Sequence, residues 1–195
     1  MANDNGSLSH TKWNCKYHMK NVVRRASPPN TRRCAFTGYR PQKMPFGFDE
    51  TDPRCIDFKK RVQATIQMLY DMGYRHFISG GALGMDMFAA EAVVELRKQH
   101  PEVILEMVSP FDDQASKWPE EYRARHDLLF ELADITTATS HVYTKSAMFI
   151  RNRYLVNNAD LLLAAYDGQP GGTAMTYKLA RRYNVPIMQI KPTQD

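Results

Sequence analysis

From residue 32 onward, short apolar or β-branched runs alternate with longer segments in which apolar positions recur every three or four residues. The short runs fit strands buried on both faces, and the longer spacing fits helices with one apolar side. The pattern predicts strands over residues 33–37, 76–79, 103–109, 134–139, 160–165 and 186–190. Five helices are predicted between them. The first covers 53–72, with Pro53 in its first turn, Gly73 as its stop, and Ile56, Val62, Ile66 and Leu69 turned to the sheet. The second covers 84–99, carries Met87, Ala90, Val94 and Leu96 on one side and ends before Pro101. Pro119 opens the third, with Glu120 and Glu121 at the positive end of the helix dipole. Residues 146–158 and 173–183 make the fourth and fifth. Such alternation predicts the α/β class, a Rossmann-like three-layer sandwich with a mainly parallel sheet. In sheets of this kind the ligand crevice lies beyond the carboxyl ends of the strands, where the strand order reverses.

With 195 residues, 43% of them hydrophobic and 24% charged, the chain matches one soluble globular domain. The division is a basic leader over 1–31, disordered or loosely packed, and a Rossmann-like domain over 32–195. Charge supports that division. Residues 1–33 hold seven Lys or Arg against Asp4 alone, and the remainder holds 19 basic and 20 acidic residues. The net charge of +5 therefore belongs to the leader, which reads as a solvated tail, and nucleic acid is not an expected partner. The longest apolar stretch, 161–166, is far short of the roughly 18 residues a bilayer demands, so no membrane association is expected. No secretory signal is visible in the first 20 residues, which makes the cytoplasm the expected location. Cys15, Cys34 and Cys55 form no pairing pattern and read as reduced thiols. Cys15 and His18 are half of a zinc spacing without a second half, so no metal is expected.

The predicted strand ends carry the candidate chemistry. They read Thr37-Gly38-Tyr39-Arg40-Pro41, Ser79-Gly80-Gly81-Ala82-Leu83-Gly84-Met85-Asp86, Ser109-Pro110-Phe111 and Asp167-Gly168-Gln169-Pro170-Gly171-Gly172-Thr173, the last leading to Thr176. Glycines let a backbone approach a bulky anion, and a helix that follows aims free amides at the same place. Arg40, Arg151 and Arg153 are candidate phosphate clamps, with Asn152 beside them. On one helix Arg151 and Arg153 diverge, so only part of this trio can face a crevice. Tyr39 and Phe111 are candidates for stacking on a base. Asp86 and Asp167 are the carboxylates nearest the glycine turns, candidates for a ribose contact or a catalytic base. No P-loop sequence is present, and the acid that an NAD-type domain places at the end of the next strand is missing, since Glu102 and Glu106 lie at its start and middle.

Four ordered stretches, 34–41, 79–86, 151–156 and 171–176, give residues 34–191 a resemblance to the YpsA-like branch of the SLOG superfamily, relatives of DprA/Smf and Lonely-guy proteins. The resemblance implies binding of a nucleotide or nucleotide derivative, such as an ADP-ribose relative or a nucleoside monophosphate, by a sensor or sequestering module. It implies no certain cofactor beyond that nucleotide-type ligand, and it implies self-association into a homo-oligomer. The alternative it raises is an enzyme hydrolysing nucleotide N-glycosidic bonds, like the phosphoribohydrolases. Two departures weigh against it: Tyr39 stands where relatives have His, and Lys178 stands at the position of the catalytic Glu. A third reading, less favoured, is a DprA-like binder of single-stranded DNA. Residues 7–18 of the leader resemble the start of IS200-type transposases and read as a fusion remnant ahead of Met19.

Overall fold

The computed structural model describes residues 22–192. Most of the leader, including Cys15, His18 and the transposase-like stretch, lies outside the described residues. Seven strands form one sheet: Val22–Val23 (β1), Arg32–Gly38 (β2), Tyr74–Ser79 (β3), Ile104–Ser109 (β4), Ile135–Ala138 (β5), Leu161–Ala165 (β6) and Ile187–Ile190 (β7). Their order is β1-β5-β4-β3-β2-β6-β7, and β2 to β7 are all parallel. Five helices connect them, Pro53–Asp71 (α1), Met85–Gln99 (α2), Glu120–Leu132 (α3), Ala147–Asn157 (α4) and Gly172–Arg182 (α5). This is the three-layer α/β sandwich that the hydrophobic pattern predicts. Among the described residues no helix is long and apolar enough to cross a membrane.

Each inner strand buries both faces. Phe36 and Phe77, with rings stacked at 6.0 Å, face the layer of α1 and α2, where Phe58, Ile66, Leu69 and Met87 close the larger core. Ala35, Ile78, Val108 and Leu162 face the other way, against Leu155 of α4 and Leu179 of α5. On α1 the predicted stripe is slipped by one residue at its start. Cys55 and Phe58 lead the buried face, and Ile56 is exposed. Both assignments satisfy the helical period, and the bulk of Phe58 against Phe46 and Phe88 decides between them.

Strand β1 is too short to leave a periodic signal and was not predicted. It pairs antiparallel with β5, Val22 opposite Thr136 and Val23 opposite Ile135. The arginines that follow are held against the body, although Arg24 is exposed and Arg25 half-buried. Arg24 donates to the carbonyls of Glu131 and Ala133, and Arg25 donates to those of Pro101 and Val103 and pairs with Asp134 at 3.1 Å. These guanidinium groups satisfy loop carbonyls along the sheet edge, which ties the chain to the body from Val22 on.

A cluster of ionisable groups sits inside the second layer. Glu106, in the middle of β4, is 3% exposed. Three donors converge on its carboxylate: Tyr154 Oη at 2.7 Å, Thr137 Oγ1 at 2.9 Å, and His76 Nε2 at 2.9 Å, which carries its proton to bond an ionised oxygen. Burial pushes the Glu106 pKa up, but the bonds from His76 and Tyr154 outweigh it, and the net value lies below the ordinary glutamate range. Burial and the same carboxylate push the Tyr154 phenol up to about 12.

The chain leaves β2 in one direction through β3, β4 and β5, then returns by α4 to place β6 on the other side of β2. The order reverses between β2 and β6, whose last residues, Gly38 and Ala165, lie opposite each other.

Two outcomes follow. Glu106→Gln lowers the unfolding free energy at pH 7 by about 3 kcal/mol, because it removes a buried carboxylate that accepts three hydrogen bonds. A depressed carboxylate pKa stabilises the fold above its unfolded value and loses that contribution as pH falls through the folded one. The gap between wild type and variant in denaturant unfolding therefore narrows below about pH 4.3, the ordinary glutamate value. Gly38→Ala costs about 2 kcal/mol in the same assay, since its Cβ would lie 2.3 Å from Met85 Cβ and 2.9 Å from Ala165 Cβ, inside the packed core.

Candidate functional site

At the reversal point the helical layers diverge and leave a cavity of about 370 Å³. The end of β2 contributes Thr37, Gly38, Tyr39 and Arg40, and the single-turn helix Pro41–Lys43 contributes Gln42 and Lys43. From the β3–α2 connection come Ala82 and Asp86. Helix α4 supplies Met148, Arg151 and Asn152, and the start of α5 supplies Gly171, Gly172, Thr173, Met175 and Thr176.

A buried ion pair forms the floor. Arg151 Nη1 donates to Asp86 Oδ2 at 3.2 Å, and both residues are 5% exposed. Asp86 belongs to the layer of α1 and α2, Arg151 to that of α4 and α5, so the pair reaches across the carboxyl edge of the sheet. Glycine at position 80 makes room for it. A Cβ there would lie 1.3 Å from Arg151 Nη1 and 2.7 Å from Asp86 Oδ2. Gly84, at φ +90°, is the second position where glycine is required, because a Cβ would meet the Tyr39 carbonyl at 2.5 Å. The turn is further fixed by Ser79 Oγ, which donates to the Asp86 carbonyl at 2.7 Å and accepts from Gly81 N at 3.2 Å. Burial raises the Asp86 pKa, opposed by the Arg151 guanidinium and the Ala82 amide. Burial likewise lowers that of Arg151, opposed by Asp86. Arg151 Nε is buried without a partner, so the guanidinium retains hydrogen-bonding capacity.

The walls are electropositive. Lining cations are Arg40, Lys43 and Arg151, and the lining carboxylate is Asp86. Helix α5 is preceded by Gly171 at its N-cap, which offers no side-chain cap and leaves the first amides and the positive end of the dipole facing the cavity. Thr173 Oγ1 donates to the Gly38 carbonyl at 2.9 Å and fixes that helix start against β2. Lys43 Nζ donates to the Pro170 carbonyl, pinning the loop ahead of α5.

The structure divides the predicted site residues. Thr37, Gly38, Tyr39, Arg40, Ala82, Asp86, Arg151, Asn152, Gly171, Gly172, Thr173 and Thr176 meet on the cavity wall. Ser79, Gly80, Gly81 and Gly84 lie beneath it and shape the turn that carries Ala82 and Asp86. Asp167 is outside the lining. It accepts a hydrogen bond from the buried Tyr39 hydroxyl, which in turn accepts from Gln169 N at 3.0 Å. The Tyr39 phenol is pushed up by burial and by that carboxylate, so both groups act as a latch on the β6–α5 loop that includes Gly168. Pro110 and Phe111 follow β4 away from the cavity, where Phe111 packs edge-on against Tyr143 at 5.4 Å. Arg153 is exposed on the far side of α4. Sequence reasoning missed Gln42, Lys43, Met148 and Met175. Lys43 stands two residues beyond the quoted motif, and Met148 sits one turn before Arg151 on α4, a helical spacing that points to the same wall.

Comparisons with known proteins give the family and the fold. The family model described as "YspA SLOG family" matches residues 34–194. A UPF0398 protein of Halalkalibacterium halodurans is 32% identical over 150 residues, covering 75% of this chain and 78% of its own length. Another, from Bacillus pumilus, is 31% identical over 160 residues, covering 80% and 86%. Two solved structures share the fold at low identity. DNA processing protein A of Helicobacter pylori, described for its single-stranded DNA binding mode, superposes with a TM-score of 0.56 at 20% identity over 81% of this chain. DNA processing protein A of Streptococcus pneumoniae superposes with a TM-score of 0.57 at 16% identity over 82%. The aligned regions span 64% and 50% of those longer chains. By the extent of the family match and by these relatives, the chain belongs to the YspA SLOG family.

Proposed function

We propose that the cavity binds a phosphate-bearing nucleotide derivative and that the protein acts as a sensor or sequestering module. The observation that carries this reading is the convergence of an uncapped helix start with Arg40, Lys43 and Arg151 around one carboxylate, at the place where open α/β sheets bind ligands. The phosphate lies against the first amides of α5, with Arg40 and the free edge of Arg151 around it. Thr37, Tyr39 and Asn152 face the remaining volume, and a cavity of about 370 Å³ suits a mononucleotide-sized group.

Binding without turnover is favoured over hydrolysis by the state of the carboxylates. Asp86 is committed to Arg151, and Asp167 is held by Tyr39 outside the lining. Neither is placed to protonate or attack a glycosidic bond. Binding of a long nucleic acid strand is disfavoured by charge, since residues 34–195 carry 19 basic against 20 acidic groups.

The test is a thermal-shift and calorimetric panel of AMP, ADP-ribose and NAD, with chromatography of the ligand after incubation. A binder at 100 times its dissociation constant adds about 2.7 kcal/mol of stability and is recovered intact. Conversion of the ligand would replace the sensor reading with the hydrolase. Arg40→Ala, an exposed position, weakens binding about tenfold without moving the melting temperature of the free protein. Asp86→Asn does the opposite on both counts. It lowers stability by about 3 kcal/mol by leaving a buried guanidinium unpaired, and it tightens phosphate binding because Arg151 has lost its internal counter-ion.

A further inference from the structure

The start of α5 forms one wall of the first cavity. A second cavity of about 360 Å³ lies on the outer flank of that helix, and the two share Gly171 and Met175 in their walls. Pro170, Ala174 and Met175 give the second lobe an apolar floor, and Lys178 and Arg182 stand on its rim. These two cations are four residues apart, so they project from one helix face. Both are exposed and neither forms an ion pair in the described structure, and no carboxylate lines the lobe. Lys178 is six residues and Arg182 ten residues beyond Gly172, about 9 and 15 Å along the axis at 1.5 Å per residue. Lys43, which lines the first cavity and bonds the Pro170 carbonyl, stands at the seam between the lobes.

A group with one phosphate fills the first lobe and leaves the second empty. A ligand that satisfies both needs a second anionic group roughly a nucleotide's length from the first, with a flat apolar body between them. We infer that the two lobes form one continuous site for a dinucleotide, in which one phosphate rests on the α5 amides and a second, distal phosphate meets Lys178 and Arg182. This assignment rests on the nucleotide reading of the first lobe and adds the class of ligand. The shared chemistry is two nucleosides with two separated phosphate groups, whether joined 5′–5′ as in a cofactor or 3′–5′ as in a nucleic acid fragment.

Calorimetry on the full chain and on the double variant Lys178→Ala/Arg182→Ala, with AMP, NADP and the 5′-phosphorylated dinucleotide pApA as probes, decides the matter. One of the two dinucleotides is expected to bind wild type at least about tenfold more tightly than AMP, as befits an added charge-assisted contact. The double variant loses that advantage to within about twofold and keeps both its AMP affinity and its melting temperature, since the two side chains are exposed. Preference for NADP or for pApA identifies the linkage. AMP binding with no gain for either dinucleotide, or a gain that survives the double variant, overturns the second lobe and leaves the first intact. Failure of all three probes defeats the nucleotide reading itself, and with it this extension. A single-stranded oligonucleotide that binds more tightly than both dinucleotides and loses affinity in the same variant overturns the small-ligand assignment in favour of a strand.

Discussion

The Asp86–Arg151 pair is the contact on which the site is built. Two charges withdrawn from water are costly, and they are tolerated only where geometry and extra hydrogen bonds hold them together. Here the geometry comes from two separate parts of the chain, the β3–α2 turn and α4. Gly80 leaves the space, the Ala82 amide adds a weak bond at 3.4 Å, and α4 brings the guanidinium across the sheet edge. Since Asp86 and Arg151 belong to opposite helical layers, the pair closes the floor of the crevice and sets the separation of its walls. The buried arginine still has an unpartnered nitrogen, so its bonding capacity is only partly used.

Above that floor the fold supplies positive potential by two routes that do not compete for space. Side chains deliver it from β2 and α4 through Arg40, Lys43 and Arg151, and the backbone delivers it from α5 through uncapped amides. The two routes are held in register by Thr173 on the Gly38 carbonyl and by the Tyr39–Asp167 contact. Carboxylates near the glycine turns thus hold the scaffold together, and the lining residues left for a ligand are predominantly donors. The one lining carboxylate is already paired with a guanidinium, so the charge that the cleft presents is positive.

The six parallel strands and the five helices follow from hydrophobic period, because each element reports its own burial through local spacing, whereas the switch in strand order does not. The motifs at the strand ends are legible for a related reason. Glycine and a following helix start are local requirements, visible wherever the backbone turns sharply. Local pattern also has limits that particular residues expose. Ile56 and Phe58 both fit the α1 stripe, and only packing against Phe46 and Phe88 chooses. A two-residue edge strand at Val22–Val23 has no period to read.

What the sequence determined by itself is the class of fold, the family motifs and most of the chain segments that reach the crevice. Tertiary structure decided what each residue does there. Gly80 serves an arginine 71 positions away, Asp167 serves a tyrosine 128 positions away, and Phe111 turns to Tyr143 and leaves the crevice. Lys43 and Met148 join the wall with no motif of their own. The physical reason is that a side chain's role is set by what lies within a few ångströms of it. In a parallel sheet with crossovers, those neighbours come from distant segments that local spacing does not encode.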